Sequence, residues 1–212
     1  MEERPEATWA RVDALGRTIQ YRSQMAQDRF VAGCLAHKQG GTFVDIGAGD
    51  PEDISNTVAL ERSFGWAGLL CDIEHFDALL KRRDPKNTVL GDALAPSRKE
   101  WIFHFHQLVD CDGFIDFLSL DLEPPDLTVE VLLKLPLKAY KFRIACVEHD
   151  AYRGDLGDLR RDLIRSYMGW HRYQIVACVG LNEYGAAEDW FVHEDAGIDA
   201  TSTLKALGVF TA

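Results

Sequence analysis

From residue 41 onward the apolar positions follow two alternating rhythms. Short apolar runs near 42–46, 67–72, 87–91, 115–120, 142–148 and 172–179 read as buried strands. Between them, stretches near 53–64, 75–83, 127–135 and 156–168 carry apolar residues at helical spacing. Strands alternating with helices predict a doubly wound α/β domain, a mostly parallel sheet covered on both faces. Glu188 to His193 reads as a last strand, free to pair antiparallel. Ile102 to Leu108 alternates with period two, which predicts an extra strand with His104 and His106 on one face. Pro124 and Pro125, after Glu123, stop a strand because neither can donate to a sheet ladder.

Upstream, Trp9, Val12, Leu15 and Ile19 predict a helix over 6–20. Phe30, Val31, Leu35 and Ala36 predict a second over 25–38. Neither fits the alternation, so residues 1–40 are expected to cap a domain spanning 41–212 as a helical pair. The tail from Asp195 predicts a loop or a short helix.

A chain of 212 residues suits one domain with a large core. Its net charge of −11 argues against nucleic acid or an anionic membrane surface as the main partner. Arg160, Arg161 and Arg165 read as a solvated helix face. No apolar run nears the roughly 18–20 residues that span a bilayer. The start, Met1 to Glu6, lacks the basic-then-apolar pattern of a leader, so the cytoplasm is expected. Cys34, Cys71, Cys111, Cys146 and Cys178 are widely spaced with no CxxC pair, which predicts buried free thiols rather than a zinc site.

The chemistry gathers where strand runs end. Gly47 and Gly49 follow the first run, where a backbone must turn tightly against a ligand. Acids follow each of the first five runs: Asp45 and Asp50, Asp72, Asp92, Asp121 with Glu123, then Glu148. In a parallel sheet these ends share one edge. Any one of them alone could merely cap a turn, but the series suits a ligand rich in hydroxyl or amino groups. Asp72, ending the second run, is placed to accept from both hydroxyls of a ribose. Asp92 can accept from an adenine amino group. The turn carries no lysine or arginine for a triphosphate. Glu52 stands where a dinucleotide fingerprint needs its third glycine, so S-adenosylmethionine fits better than NAD.

With these residues placed, the chain resembles the FkbM family of S-adenosylmethionine-dependent methyltransferases from about Ser23 to Trp190. The resemblance is carried by Ser23-Gln24 with Gln27-Asp28, and by Gly41 to Gly47 with Asp50. It continues through Ser55-Asn56-Thr57, Leu60-Glu61, Gly65-Trp66 with Gly68, and Leu118 to Asp121 with Glu123. Val147-Glu148-His149 and Glu188-Asp189-Trp190 complete it. It implies a class I methyltransferase fold, a seven-stranded sheet with its final strand antiparallel. The cofactor residues it implies are Asp45, Gly47, Gly49, Asp50, Asn56, Asp72, Ile73, Asp92 and Ala93. Glu61 is expected to be structural, holding the Trp66 loop or a helix end. Two positions depart from the family pattern: Pro51 follows Asp50, and Pro124-Pro125 follows Glu123 beside the expected acceptor pocket.

Methyl transfer requires an aligned acceptor and a destination for its proton. Asp121, Glu148 and His149 offer two routes. They could hold a divalent cation such as magnesium or manganese that lowers the acceptor's pKa. Alternatively, His149 or Asp121 could act as a general base without metal. A structural role for Glu148 and His149 is the third option. The expected activity is O-methylation of a sugar, glycan or secondary metabolite, with self-association left open. The rivals are a catalytically altered nucleoside-binding or assembly protein on the same fold, and an NAD-dependent oxidoreductase.

Overall fold

The computed structural model describes residues 10–12, 18–180 and 185–209. Its centre is a seven-stranded sheet built from β3 (Thr42–Ile46), β4 (Ala67–Cys71), β5 (Thr88–Leu90), β6 (Phe114–Leu120), β7 (Lys141–Glu148), β8 (Tyr173–Gly180) and β9 (Ala186–His193). The spatial order is β5-β4-β3-β6-β7-β9-β8. The first five run parallel, and β9 lies antiparallel between β7 and β8. The order reverses between β3 and β6, and doubly wound sheets open a crevice at such a point. Helices α2 (Val58–Phe64), α3 (Phe76–Arg82), α4 (Arg98–His106), α5 (Asp126–Lys134) and α6 (Asp155–Trp170) provide the connections, and α7 (Thr201–Leu207) follows the last strand.

Strand side chains alternate between two apolar layers. Phe43 joins Leu60, Trp66 and Trp190 on one side of the sheet. Val44 and Ile46 join Trp101, Phe105, Val131 and Ile164 on the other. All of these side chains are fully buried. Asp45, between Val44 and Ile46, therefore points into the layer that holds Phe43.

The predicted N-terminal pair of helices is half corrected. Helix α1 (Gln27–Cys34) forms, and Phe30 stacks on Trp190 with ring centroids 4.4 Å apart. The described parts of 6–20 are instead two short antiparallel strands, β1 (Ala10–Val12) and β2 (Thr18–Gln20). β-Branched Thr18 and Ile19 favour the strand, and Ile19 alone of this strand turns inward. Trp9 and Leu15 lie outside the described residues.

The predicted strand over 102–108 is helix α4. Ser97 caps it reciprocally with Glu100: Glu100 N donates to Ser97 Oγ at 3.4 Å, and Ser97 N to Glu100 Oε2 at 2.7 Å. The helix buries Trp101 and Phe105, four apart, and leaves Phe103 exposed. The apparent period of two was an accident of where His104 and His106 fall on a helix, where residues two apart do not share a face. They form no ligand pair. The thiols also differ from expectation: Cys71 and Cys146 are buried, Cys34 and Cys178 are half-buried, and Cys111 is exposed.

Ser97→Ala removes one half of this capping box. The expected loss is about 1 kcal/mol, seen as a melting temperature about 2–4 °C lower by calorimetry. An unchanged melting point would show that the cap does not anchor α4.

Candidate functional site

A cavity of about 370 Å³ opens at the C-terminal ends of β3, β4, β5 and β6. Its floor is the glycine turn. Gly47 has φ +82°, and a Cβ there would stand 1.5 Å from the Asp121 carbonyl oxygen, so only glycine fits. Gly47 N and Ala48 N donate to Cys71 O at 2.8 and 3.2 Å, and Asp121 N donates to Ile46 O at 2.9 Å. The turn is thus clamped between its two neighbouring strands. Asp72 tightens it further: its Oδ2 accepts from Gly49 N at 2.9 Å, and its Oδ1 accepts from Glu74 N and His75 N. A carboxylate offers about four acceptor positions, so Oδ2 retains capacity toward the cavity. Ile73, Asp92, Ala93 and Leu94 continue the same wall, and Ile73 is 71% exposed.

Behind the turn lies a buried polar cluster centred on Arg83, which sequence reasoning missed. Its guanidinium is fully buried; Nε donates to Glu61 Oε2 at 3.0 Å, and Nη2 to Thr57 Oγ1 at 3.1 Å. Thr57 Oγ1 donates onward to Asp45 Oδ2 at 2.6 Å. Glu61 also accepts from Asn87 Nδ2 and Asp84 N, so it holds the end of α3 and the loop after it rather than Trp66. Trp66 Nε1 donates instead to Lys38 O. Asn56, between Ser55 and Thr57, is pushed into the cavity wall. Its Nδ2 donates to Ser119 Oγ at 3.0 Å, while its buried Oδ1 has no partner. An orphaned buried acceptor beside a cavity calls for a donor from a ligand.

The far end of the cavity is acidic. Asp121 and Glu123 line it with Gln24 and Gln27. Burial, with its neighbours, raises the Asp121 carboxyl, and burial beside Asp121 pushes Glu148 up to about 11. The two carboxyls lie against each other, so the pair resists carrying two charges. Gln27 Nε2 donates to Glu188 Oε2 at 3.3 Å, and Trp190 Nε1 donates to Glu188 Oε1. Burial raises Glu188 to about 8. Arg153 donates to both oxygens of Glu123 and reaches Asp150 at 2.8 Å.

Of the sequence-predicted residues, Gly47, Gly49, Asn56, Asp72, Ile73, Asp92, Ala93 and Asp121 line this one cavity. Four do not. Asp45 is buried beneath the turn on Thr57, where burial raises its carboxyl. Asp50 turns back to accept from Glu52 N and Asp53 N. Glu148 stands behind Asp121 as its proton partner. His149 is fully buried, outside the lining.

His149 is the largest correction. Its Nδ1 accepts from Ala151 N at 3.1 Å, so that nitrogen carries no proton and the ring's proton sits on Nε2. Nε2 faces Asp189 Oδ1 at 3.6 Å. Asp189 is gripped by Arg165 at 2.7 and 2.8 Å. Burial alone would raise Asp189, but these partners hold it down to about 2. His149 has no free lone pair for an acceptor proton or for a metal shared with Asp121 and Glu148. Among the described residues, the one group with metal-ligand proximity is His149, Cys178 and Asp189. The protonated Nε2 and the arginine on Asp189 both oppose a cation there. Gln24 and Gln27 were visible in the motif near the N-terminus, but nothing local to it indicated that the turn before α1 and its first residue would reach the cavity.

No protein-family model matches the chain, and no curated protein matches it. Solved structures do. A Klebsiella pneumoniae protein provisionally described as an O-methyltransferase is 15% identical, with a TM-score of 0.53 over 82% of each chain. A TehB-like S-adenosylmethionine-dependent methyltransferase from Corynebacterium glutamicum is 10% identical, with a TM-score of 0.47 over 81% of this chain and 89% of its own. Aeropyrum pernix fibrillarin, solved with natively bound S-adenosyl-L-methionine, is 13% identical, with a TM-score of 0.45 over 90% of this chain and 84% of its own. The seven-stranded sheet and the first of these likenesses show the fold: it is the Rossmann-like methyltransferase architecture.

Glu188 links this site to stability. Its carboxyl is raised from 4.5 to about 8, so its contribution is full below pH 4.5 and is lost as pH rises toward 8. Across that window wild-type stability should fall by at most about 1.4 kcal/mol per pH unit from this group. Glu188→Gln should flatten that slope in denaturant titrations at pH 5, 6.5 and 8. An unchanged slope would show that Glu188 titrates normally.

Proposed function

We propose that this chain is an S-adenosylmethionine-dependent methyltransferase of the FkbM type that methylates a hydroxyl of a sugar, glycan or secondary metabolite. The observation that carries the reading is the cavity lining. A glycine turn with no room for a Cβ opens onto Asp72 and Asp92, and no lysine or arginine is among the described lining residues. A dinucleotide's pyrophosphate would meet carboxylates with no cation to offset them. A nucleoside bearing a sulfonium and an ammonium meets the groups it needs.

In this reading Asp72 takes the ribose hydroxyls. Ile73 and Ala93 flank the adenine, with Asp92 at its amino group. The orphaned Asn56 Oδ1 accepts from the ammonium of the methionine end. S-adenosylmethionine supplies an electrophilic methyl on a positively charged sulfur. Gln24 and Gln27 orient the acceptor hydroxyl, and the Asp121 carboxylate accepts its proton, with Glu148 steadying that charge through the shared proton. The base is thus Asp121 alone, not His149. The preference for oxygen and the FkbM assignment rest on the sequence resemblance. A small-molecule acceptor is favoured over nucleic acid by the net charge of −11 and the acidic cavity. No helix among the described residues is long and apolar enough to cross a membrane. The free cysteines favour a reducing compartment, which supports the cytoplasm.

Calorimetry with S-adenosylmethionine and its demethylated product tests the cofactor; no binding at millimolar concentration would sink the proposal. Asp72→Ala should weaken binding by roughly 1–3 kcal/mol. Asp121→Asn should bind cofactor normally yet lower kcat by about 10²–10⁴-fold on a panel of hydroxylated acceptors. Its wild-type parent should lose activity as pH falls through an apparent pKa above the ordinary carboxylate range, following the raised Asp121. Cofactor binding without turnover on any acceptor would favour a non-catalytic binding protein on the same fold.

His149→Gln gives a separate check. Because His149 is fully buried and accepts from the Ala151 backbone, the change should lower the melting temperature while leaving the acidic limb of the pH–rate profile in place. Loss of that limb would restore His149 as the base.

A further inference from the structure

Helix α6 has two apolar faces. One, with Ile164 and Met168, is fully buried against the sheet. The other carries Leu156, Leu159, Leu163 and Trp170, which are 67, 56, 49 and 69% exposed. Their spacing of three, four and seven keeps them on one stripe. That stripe is about 21 Å long, since Leu156 and Trp170 are fourteen residues apart at about 1.5 Å each. An isolated exposed leucine means little, but a continuous stripe with an exposed tryptophan marks an interaction surface.

The two halves of the stripe differ in shape and in charge. Toward its C-terminal end, Leu163, Tyr167 and Trp170 join Val129, Leu132 and Leu133 of α5 around an apolar groove of about 300 Å³. Toward its N-terminal end, Leu156 and Leu159 project into solvent. Asp155 also stands at that end, while Asp158 and Asp162 are paired with Arg161 of the same helix. At the opposite end Lys138 Nζ lies 5.5 Å over the Trp170 ring.

Leu163 is seven residues from both Leu156 and Trp170. We propose that this face binds a second copy of the same chain, with the two α6 helices antiparallel about a two-fold axis near Leu163. In that arrangement the projecting Leu156 and Leu159 of each copy enter the groove of the other. Asp155 of each copy meets Lys138 at the other's far end. An isologous contact needs a surface complementary to itself, and this one is so in both shape and charge.

The test is mass by light scattering across protein concentration up to about 100 µM, above the micromolar range of weak specific interfaces. Wild type should show twice the monomer mass. Leu159→Glu with Leu163→Glu should halve it, and circular dichroism should stay unchanged because both positions face solvent in the monomer. Asp155→Lys and Lys138→Asp should each weaken dimerisation at least tenfold, and the double swap should restore it. Monomeric wild type throughout, or swaps that neither weaken nor rescue, would overturn the proposal. Sedimentation of monomeric wild type with vesicles of phosphatidylcholine and phosphatidylserine would overturn it in favour of a lipid surface. None of these variants touches the cofactor cavity, so the outcome is independent of the proposed activity.

Discussion

The buried Arg83 guanidinium constrains everything behind the glycine turn. A charge taken fully out of water is tolerated only when paired and hydrogen-bonded, because its desolvation would otherwise cost several kcal/mol. Arg83 meets that condition with Glu61 and Thr57, and with Ser55 Oγ at 3.4 Å. Once Ser55 and Thr57 face inward to serve it, Asn56 between them is turned toward the cavity. Thr57 also fixes Asp45, and Asp45 belongs to β3, whose end is the glycine turn. One buried cation thereby ties α2, α3 and β3 together and fixes where the cavity's orphaned acceptor sits.

This division of labour explains why the most recognisable residues are mostly scaffold. Ser55, Thr57 and Glu61 serve Arg83. Asp28 accepts from Ser23 Oγ and from the backbone of Arg22 and Ser23, fixing the start of α1. Asp189 holds Arg165, and Trp190 stacks on Phe30. From the same motifs, Gln24, Gln27, Gly47, Asn56, Asp121 and Glu123 face the cavity. A motif read as a string gives all its members equal standing, whereas strand alternation sends adjacent residues to opposite sides.

The sheet was legible because its central strands β3, β4, β6 and β7 are mostly buried and therefore nearly continuous apolar runs. The β3 bounds match those predicted, and the others shift by a residue or two. The two local errors share a cause. In 6–20 and in 102–108 a few apolar residues fit both periods, and the deciding features were the Ser97–Glu100 cap and the pairing of β1 with β2. The edge that lines the cavity was legible from strand-end acids and glycines. Arg83 was not, because it comes from the end of α3 and only the fold brings it under β3.

The acceptor end shows how far a residue type misleads when its partners are unseen. A histidine beside two acids suggests a base at neutral pH, but a base needs a lone pair facing the substrate. His149 gives one nitrogen to a backbone N–H and turns its proton toward Asp189. The group with free acceptor capacity at the cavity is Asp121. Burial would ordinarily leave such a carboxyl neutral and useless as a base. Glu148 beside it is also raised by burial, so the pair resists holding two charges, and an ionised Asp121 is a stronger base than an ordinary carboxylate. Of the two, Asp121 is the one among the described residues that lines the cavity, so it is the one placed to exchange a proton with a bound molecule.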